Sequence, residues 1–110
     1  MILVKVYGAF YPAGEACAGA VREAGRGAMG HDEPWLFDED GMIRISFEGL
    51  YFPLDEVLAA LKSALPANAE GKLDYLDLEA WTLTRHVASP GRDFAVSTRS
   101  LNHVLDYAGH

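Results

Sequence analysis

The chain opens on a crowded apolar run. Within MILVKVYGAF, the stretch ILVKVY at residues 2–7 gathers β-branched and aromatic side chains around Lys5 and predicts a first strand. Gly8, Pro12 and Gly14 then break the pattern. Residues 15–24, EACAGAVREA, take up a helical period that buries Ala16, Ala20, Val21 and Ala24, with Gly19 weakening the helix by about 1 kcal/mol against alanine. Alternation follows in WLFDEDGMIRISFEG, where Ile43, Ile45 and Phe47 alternate with Arg44, Ser46 and Glu48, and DEDG supplies the turn of a hairpin. PLDEVLAALKSALP, residues 53–66, is the clearest helix. Leu54, Val57, Leu58, Leu61 and Leu65 share one face, acids fill the first turn and Pro66 follows the end.

The last third holds a second hairpin. WTLTRHV (81–87) and FAVSTRS (94–100) flank ASPGRD, whose Pro-Gly pair favours a turn. With Val87 opposite Phe94, one face carries Trp81, Leu83 and Val96, and the other Thr82, Thr84, His86, Ser97 and Arg99. A slip of one residue would exchange the two faces. The apolar phase changes between Tyr75 and Leu76, which predicts a bulge or break within 73–80. Ser100 is placed to cap a last short helix burying Leu101, Val104 and Leu105. The order β-α-β-β-α-β-β-α predicts an α+β two-layer sandwich in one domain, residues 1–110. Its mainly antiparallel sheet would have about five strands, with two or three helices on one face.

Charge sharpens this picture. The net charge is −7, and residues 30–60 hold eight acids against one base, Arg44. Outside that window eight acids face eight bases, so the imbalance is local. Direct binding to nucleic acid, whose footprints are basic, is not expected. No apolar run approaches the roughly 18 residues that cross a bilayer, so no membrane association is expected. The N-terminal run lacks the basic start and small-residue cleavage site of a signal peptide. Cys17 is the sole cysteine, which excludes an internal disulfide and makes a reducing cytoplasm the default.

Four places carry candidate chemistry. GRGAMG at 25–30 spells G-x-G-x-x-G, yet a dinucleotide turn needs a strand before it and a helix N-terminus after it. Here a helix precedes and HDEP follows, so the segment reads as a connector, with Gly25 ending the helix in the left-handed region and no cofactor expected. In the loop HDEPWLFDED, Asp38, Glu39 and Asp40 offer hard oxygens and His31 a nitrogen, but no EF-hand spacing surrounds Gly41. A solvated turn or a partner-binding surface is the preferred reading there. Cys17 lacks the arginine spacing of a phosphatase and any thiol-protease signature, and reads as a small buried side chain. Of the two tryptophans, Trp81 is expected in the core, while Trp35, set between acidic clusters, suits an interface anchor as well as it suits core packing.

These features favour a small, acidic, non-enzymatic interaction protein. Asp32, Glu33, Trp35, Asp38, Glu39 and Asp40 would form the docking surface for a basic protein partner, with help from Glu48, Asp55 and Glu56. By size and charge, phage-encoded inhibitors of host defence complexes, anti-CRISPR proteins among them, belong to the same physical class. The alternative is a small metal-dependent enzyme or metal-binding domain that uses His31, Asp32, Asp38 and Asp40, across a homodimer interface if one forms. A third possibility is a structural subunit that pairs through an exposed strand edge.

Overall fold

A computed structural model describes residues 1–31 and 33–102 of the chain. It shows six strands and two helices: β1 (Val4–Tyr11), α1 (Glu15–Ala24), β2 (Leu36–Glu39), β3 (Met42–Gly49), α2 (Leu54–Ala64), β4 (Glu70–Asp77), β5 (Thr82–Ala88) and β6 (Ala95–Ser100). All strands pair antiparallel, in the order β2-β3-β1-β4-β5-β6. The first four strands and both helices interleave as two split β-α-β units, a ferredoxin-like arrangement, and the β5–β6 hairpin widens the sheet beyond β4. The α+β class expected from the sequence is the one observed, with six strands where about five were expected.

The core lies between one sheet face and the helices. Val4, Val6 and Phe10 of β1 align with Ile43, Ile45 and Phe47 of β3 and with Leu73 of β4, all buried. Against them pack Cys17, Ala18 and Val21 from α1 and Val57, Leu58 and Leu61 from α2. On α2 the expected stripe is the buried one, with Leu54 and Leu65 half-covered at its ends. On α1 the buried face is rotated from expectation. Ala16 is exposed and Ala20 and Ala24 are half-buried, because α1 turns its Cys17–Val21 side to the sheet.

Three local expectations are corrected. β1 runs through Gly8 rather than stopping there, because that glycine lets β1 and β4 close up: a Cβ would collide with the Lys72 carbonyl. β4 keeps an unbroken register with both β1 and β5, so no bulge separates Tyr75 from Leu76. The phase change arises because both sheet faces are partly covered there, Tyr75 on the helix side and Leu76 on the other. The β5–β6 faces are exchanged. The observed pairs are Val87↔Ala95 and His86↔Val96, one residue from the expected register. His86 and Ala88 therefore lie on the buried face, while Leu83, Arg85, Ser97 and Arg99 line the open one.

The chain end agrees with the sequence as far as it is described. Ser100 Oγ accepts the Asn102 N–H at 3.2 Å, the contact of an N-cap, and Leu101 is buried. Val104 and Leu105 lie outside the described residues. Among the described residues no helix is long and apolar enough to cross a membrane.

Candidate functional site

The acidic segment is built on the β2–β3 hairpin. β2 ends at Glu39 and β3 begins at Met42, leaving a two-residue loop in which Asp40 (φ 51°) and Gly41 (φ 80°) are both left-handed. Such a type I′ loop matches the right-handed twist of the flanking strands and favours an Asp-Gly pair. The turn expected from DEDG is present. β2 is the outer strand of the sheet, so its acids stand at an edge.

Strand alternation divides those acids. Asp38 pairs with Ile43 and points to the helix side, near enough to Cys17 to add its charge repulsion to the larger effect of burial in raising the thiol pKa. Glu39 pairs with Met42 and points to the open face. Glu33, Asp38, Glu39 and Asp40 are all exposed, as are Asp55 and Glu56 at the start of α2. The ion pairs among the described residues are Lys5–Glu48 at 3.6 Å, Arg26–Glu23 at 3.0 Å and Arg85–Asp74 at 2.7 Å. None of them neutralises an acid of the β2 edge. Asp32 lies outside the described residues.

Trp35 is core, not surface. It is 8% exposed and meets Phe52 edge-on at 5.3 Å between ring centroids. Gly25 makes room for it: a Cβ there would run into the Trp35 ring. This also corrects the reading of Gly25, whose φ of −88° is not left-handed. The need for glycine at 25 is steric. Trp81 is the reverse case. It stands 41% exposed in the β4–β5 turn, with φ 59°, and its Nε1 donates to Asn102 Oδ1 at 2.7 Å.

Beside the acidic edge lies a groove of about 330 Å³ between the 31–35 loop and the open sheet face. Glu33 and Glu48 stand at its lining with His31, Phe37 and Arg44. Arg44 lays its guanidinium over the Phe37 ring at 4.2 Å, and His31 Nδ1 lies 3.1 Å from the Glu33 carbonyl. Glu48 also reaches Tyr7, whose phenol is pushed up by burial first and by that carboxylate second. The groove is mixed in charge; the edge outside it is acidic.

The remaining candidates separate. GRGAMG follows α1 through a short 3₁₀ turn at Gly25–Gly27, bridges to Tyr51 through Met29, and leads into β2. Cys17 is fully buried, and burial, then Asp38, raises its thiol pKa, which disfavours the nucleophilic thiolate. Among the described residues no three His, Cys, Asp or Glu side chains gather as metal ligands. His86, expected on the wet face beside Arg99, is 7% exposed, and its Nε2 has no partner among the described residues. Burial and the nearby Lys62 lower its pKa, against a smaller upward pull from Asp74 and Asp55. Sequence reasoning missed the bidentate Arg85–Asp74 pair, at 2.7 and 2.9 Å, because only the correct register places the two side by side.

Comparison with protein-family models, with curated proteins and with solved structures returned no match.

Proposed function

We propose that this chain is a small, acidic, non-enzymatic interaction protein that docks a basic protein partner along its β2 edge. Glu33, Asp38, Glu39 and Asp40 form the charged surface; Asp55 and Glu56, expected from the sequence to help, stand at the start of α2, where Asp55 is within electrostatic reach of His86 on β5 rather than beside the β2 edge. The observation that carries this reading is that those four edge acids are exposed and none has a cationic partner among the described residues. Unneutralised charge of one sign steers an oppositely charged partner and sets its orientation more than it adds affinity. An inhibitor that occupies the basic, nucleic-acid-binding surface of another complex would use this chemistry. With Trp35 in the core, the apolar contact falls to the adjacent groove, where a partner lysine or arginine would set its charge between Glu33 and Glu48.

Titration of the ¹⁵N-labelled chain with a lysine- and arginine-rich peptide tests the location. Amide shifts should cluster at residues 33–40 and 44–48 and fade as salt rises. Shifts spread over the open sheet face, or centred on β5 and β6, would count against it.

A further inference from the structure

We propose that β6 is a dimerisation edge, and that two copies of this chain pair through it about a two-fold axis at Thr98 to form one twelve-stranded sheet. β6 closes the sheet opposite β2, and among the described residues nothing pairs with its outer side. All six of its residues are exposed, on both faces.

Backbone direction fixes the register. The Leu101 N–H donates to the Trp81 carbonyl at 2.9 Å, one step beyond the Thr82↔Ser100 pair. Antiparallel ladders alternate, so Ala95, Ser97 and Arg99 turn their backbone groups inward to β5. Val96, Thr98 and Ser100 turn theirs outward. The Thr84 and Thr98 hydroxyls, 3.2 Å apart, fit the close side-chain spacing of a pair whose backbone bonds point elsewhere. A two-fold axis normal to the sheet keeps the helices of both copies on one side and allows only like-faced residues to meet. With Thr98 on that axis, Thr98 meets Thr98 and Val96 meets Ser100, so all three outward residues exchange both backbone bonds with the second copy. Centring on Ser97 would leave Ser100 without a place in the ladder.

Charge selects the same edge. β2 is four residues long, with exposed Asp38 and Glu39 and the Asp40 turn, a form that discourages self-pairing. In β6 the one charge is Arg99, which would lie opposite Ser97 rather than another cation. Pairing at β6 holds the two acidic edges eleven strand spacings apart, roughly 50 Å along the sheet, far beyond the screening length of about 8–10 Å.

Sedimentation equilibrium of the whole chain, in a concentration series reaching about 1 mM, reads the association. The expected result is a reversible dimer. Thr98→Pro removes an N–H that does not serve β5, a position where an edge strand accepts proline. It should weaken dimerisation at least about tenfold while leaving the circular dichroism spectrum unchanged. Thr98→Cys should form a disulfide-linked dimer under mild oxidation, since residues opposed at about 5.5 Å between Cα atoms suit that bond. Ser97→Cys, roughly 8 Å from its mate on the diagonal, should not. Cys17 is buried and does not interfere. A chain that stays monomeric throughout, assemblies larger than a dimer, or crosslinking favoured at Ser97 over Thr98 would overturn the proposal. If Thr98→Pro fails to fold, the two cysteine variants carry the decision.

Discussion

Gly25 and Trp35 should behave as one unit in folding energetics. Gly25 has φ −88° and ψ 7°, a conformation open to any residue, so Gly25→Ala carries no backbone strain. Its cost comes from forcing a methyl group into the Trp35 ring, about 1–3 kcal/mol for overpacking in a closed core. Trp35→Ala removes a ring that is 8% exposed and edge-packed on Phe52, at about 3–5 kcal/mol. Independent sites would give about 4–8 kcal/mol in the double variant. Here the methyl enters the space that the indole has left, so the double variant should cost no more than Trp35→Ala alone, a coupling of about 1–3 kcal/mol. Equilibrium urea unfolding of the four proteins measures it. Since total stability at this size is about 5–15 kcal/mol, Trp35→Leu stands in if the alanine variant is unfolded. Additivity within about 0.5 kcal/mol would refute the contact. Little loss from Trp35→Ala itself would return that ring to the surface.

His86 should make stability depend on pH in a stated direction. Its folded pKa is depressed, so the unfolded chain takes up the proton first as pH falls. Its contribution is present above the ordinary imidazole value of about 6.5 and is lost as pH drops below it. The urea midpoint should therefore decline between about pH 7.5 and about pH 5.5, and His86→Leu should flatten that decline; an equal slope in both proteins would contradict the burial of His86. The Cys17 thiol should react with an aromatic disulfide reagent slower in the native chain than in urea by a factor of roughly 10² or more. Comparable rates would show α1 lifting readily from the sheet.

Local patterns revealed most of the elements, and long-range ones were hidden. Ile43, Ile45 and Phe47 alternate so cleanly, and Val57, Leu58 and Leu61 repeat so regularly, that strand, helix and buried face followed together. The Asp40–Gly41 turn was legible for the same reason, since its chemistry is contained in two residues. β4 and β5 were harder. In a sheet wider than its helix layer, Leu76, Leu83 and Val87 are half-buried on the open face, so hydrophobicity no longer marks the inside. A buried histidine at 86 completed the inversion, because the buried face of β5 is the more polar one. At the acidic edge, the sequence supplied the charges and the turn. It could not show that alternation splits Asp38 from Glu39, or that Trp35 turns inward to a partner ten residues away at Gly25.

The claim that matters most is that the β2 edge docks a basic partner. Its most direct measurement is the association rate of that partner, once recovered with the wild-type chain, against a variant carrying Asp38→Lys, Glu39→Lys and Asp40→Lys. All three side chains are exposed; Asp38→Lys and Glu39→Lys should cost within about 0.5 kcal/mol each and Asp40→Lys, at a left-handed turn position that favours Asp, about 1–2 kcal/mol, so the variant should fold. Association should slow at least about tenfold at low salt, with a smaller change in dissociation, and the difference should shrink as ionic strength rises. An unchanged association rate in the folded variant would contradict the acidic edge as the docking surface.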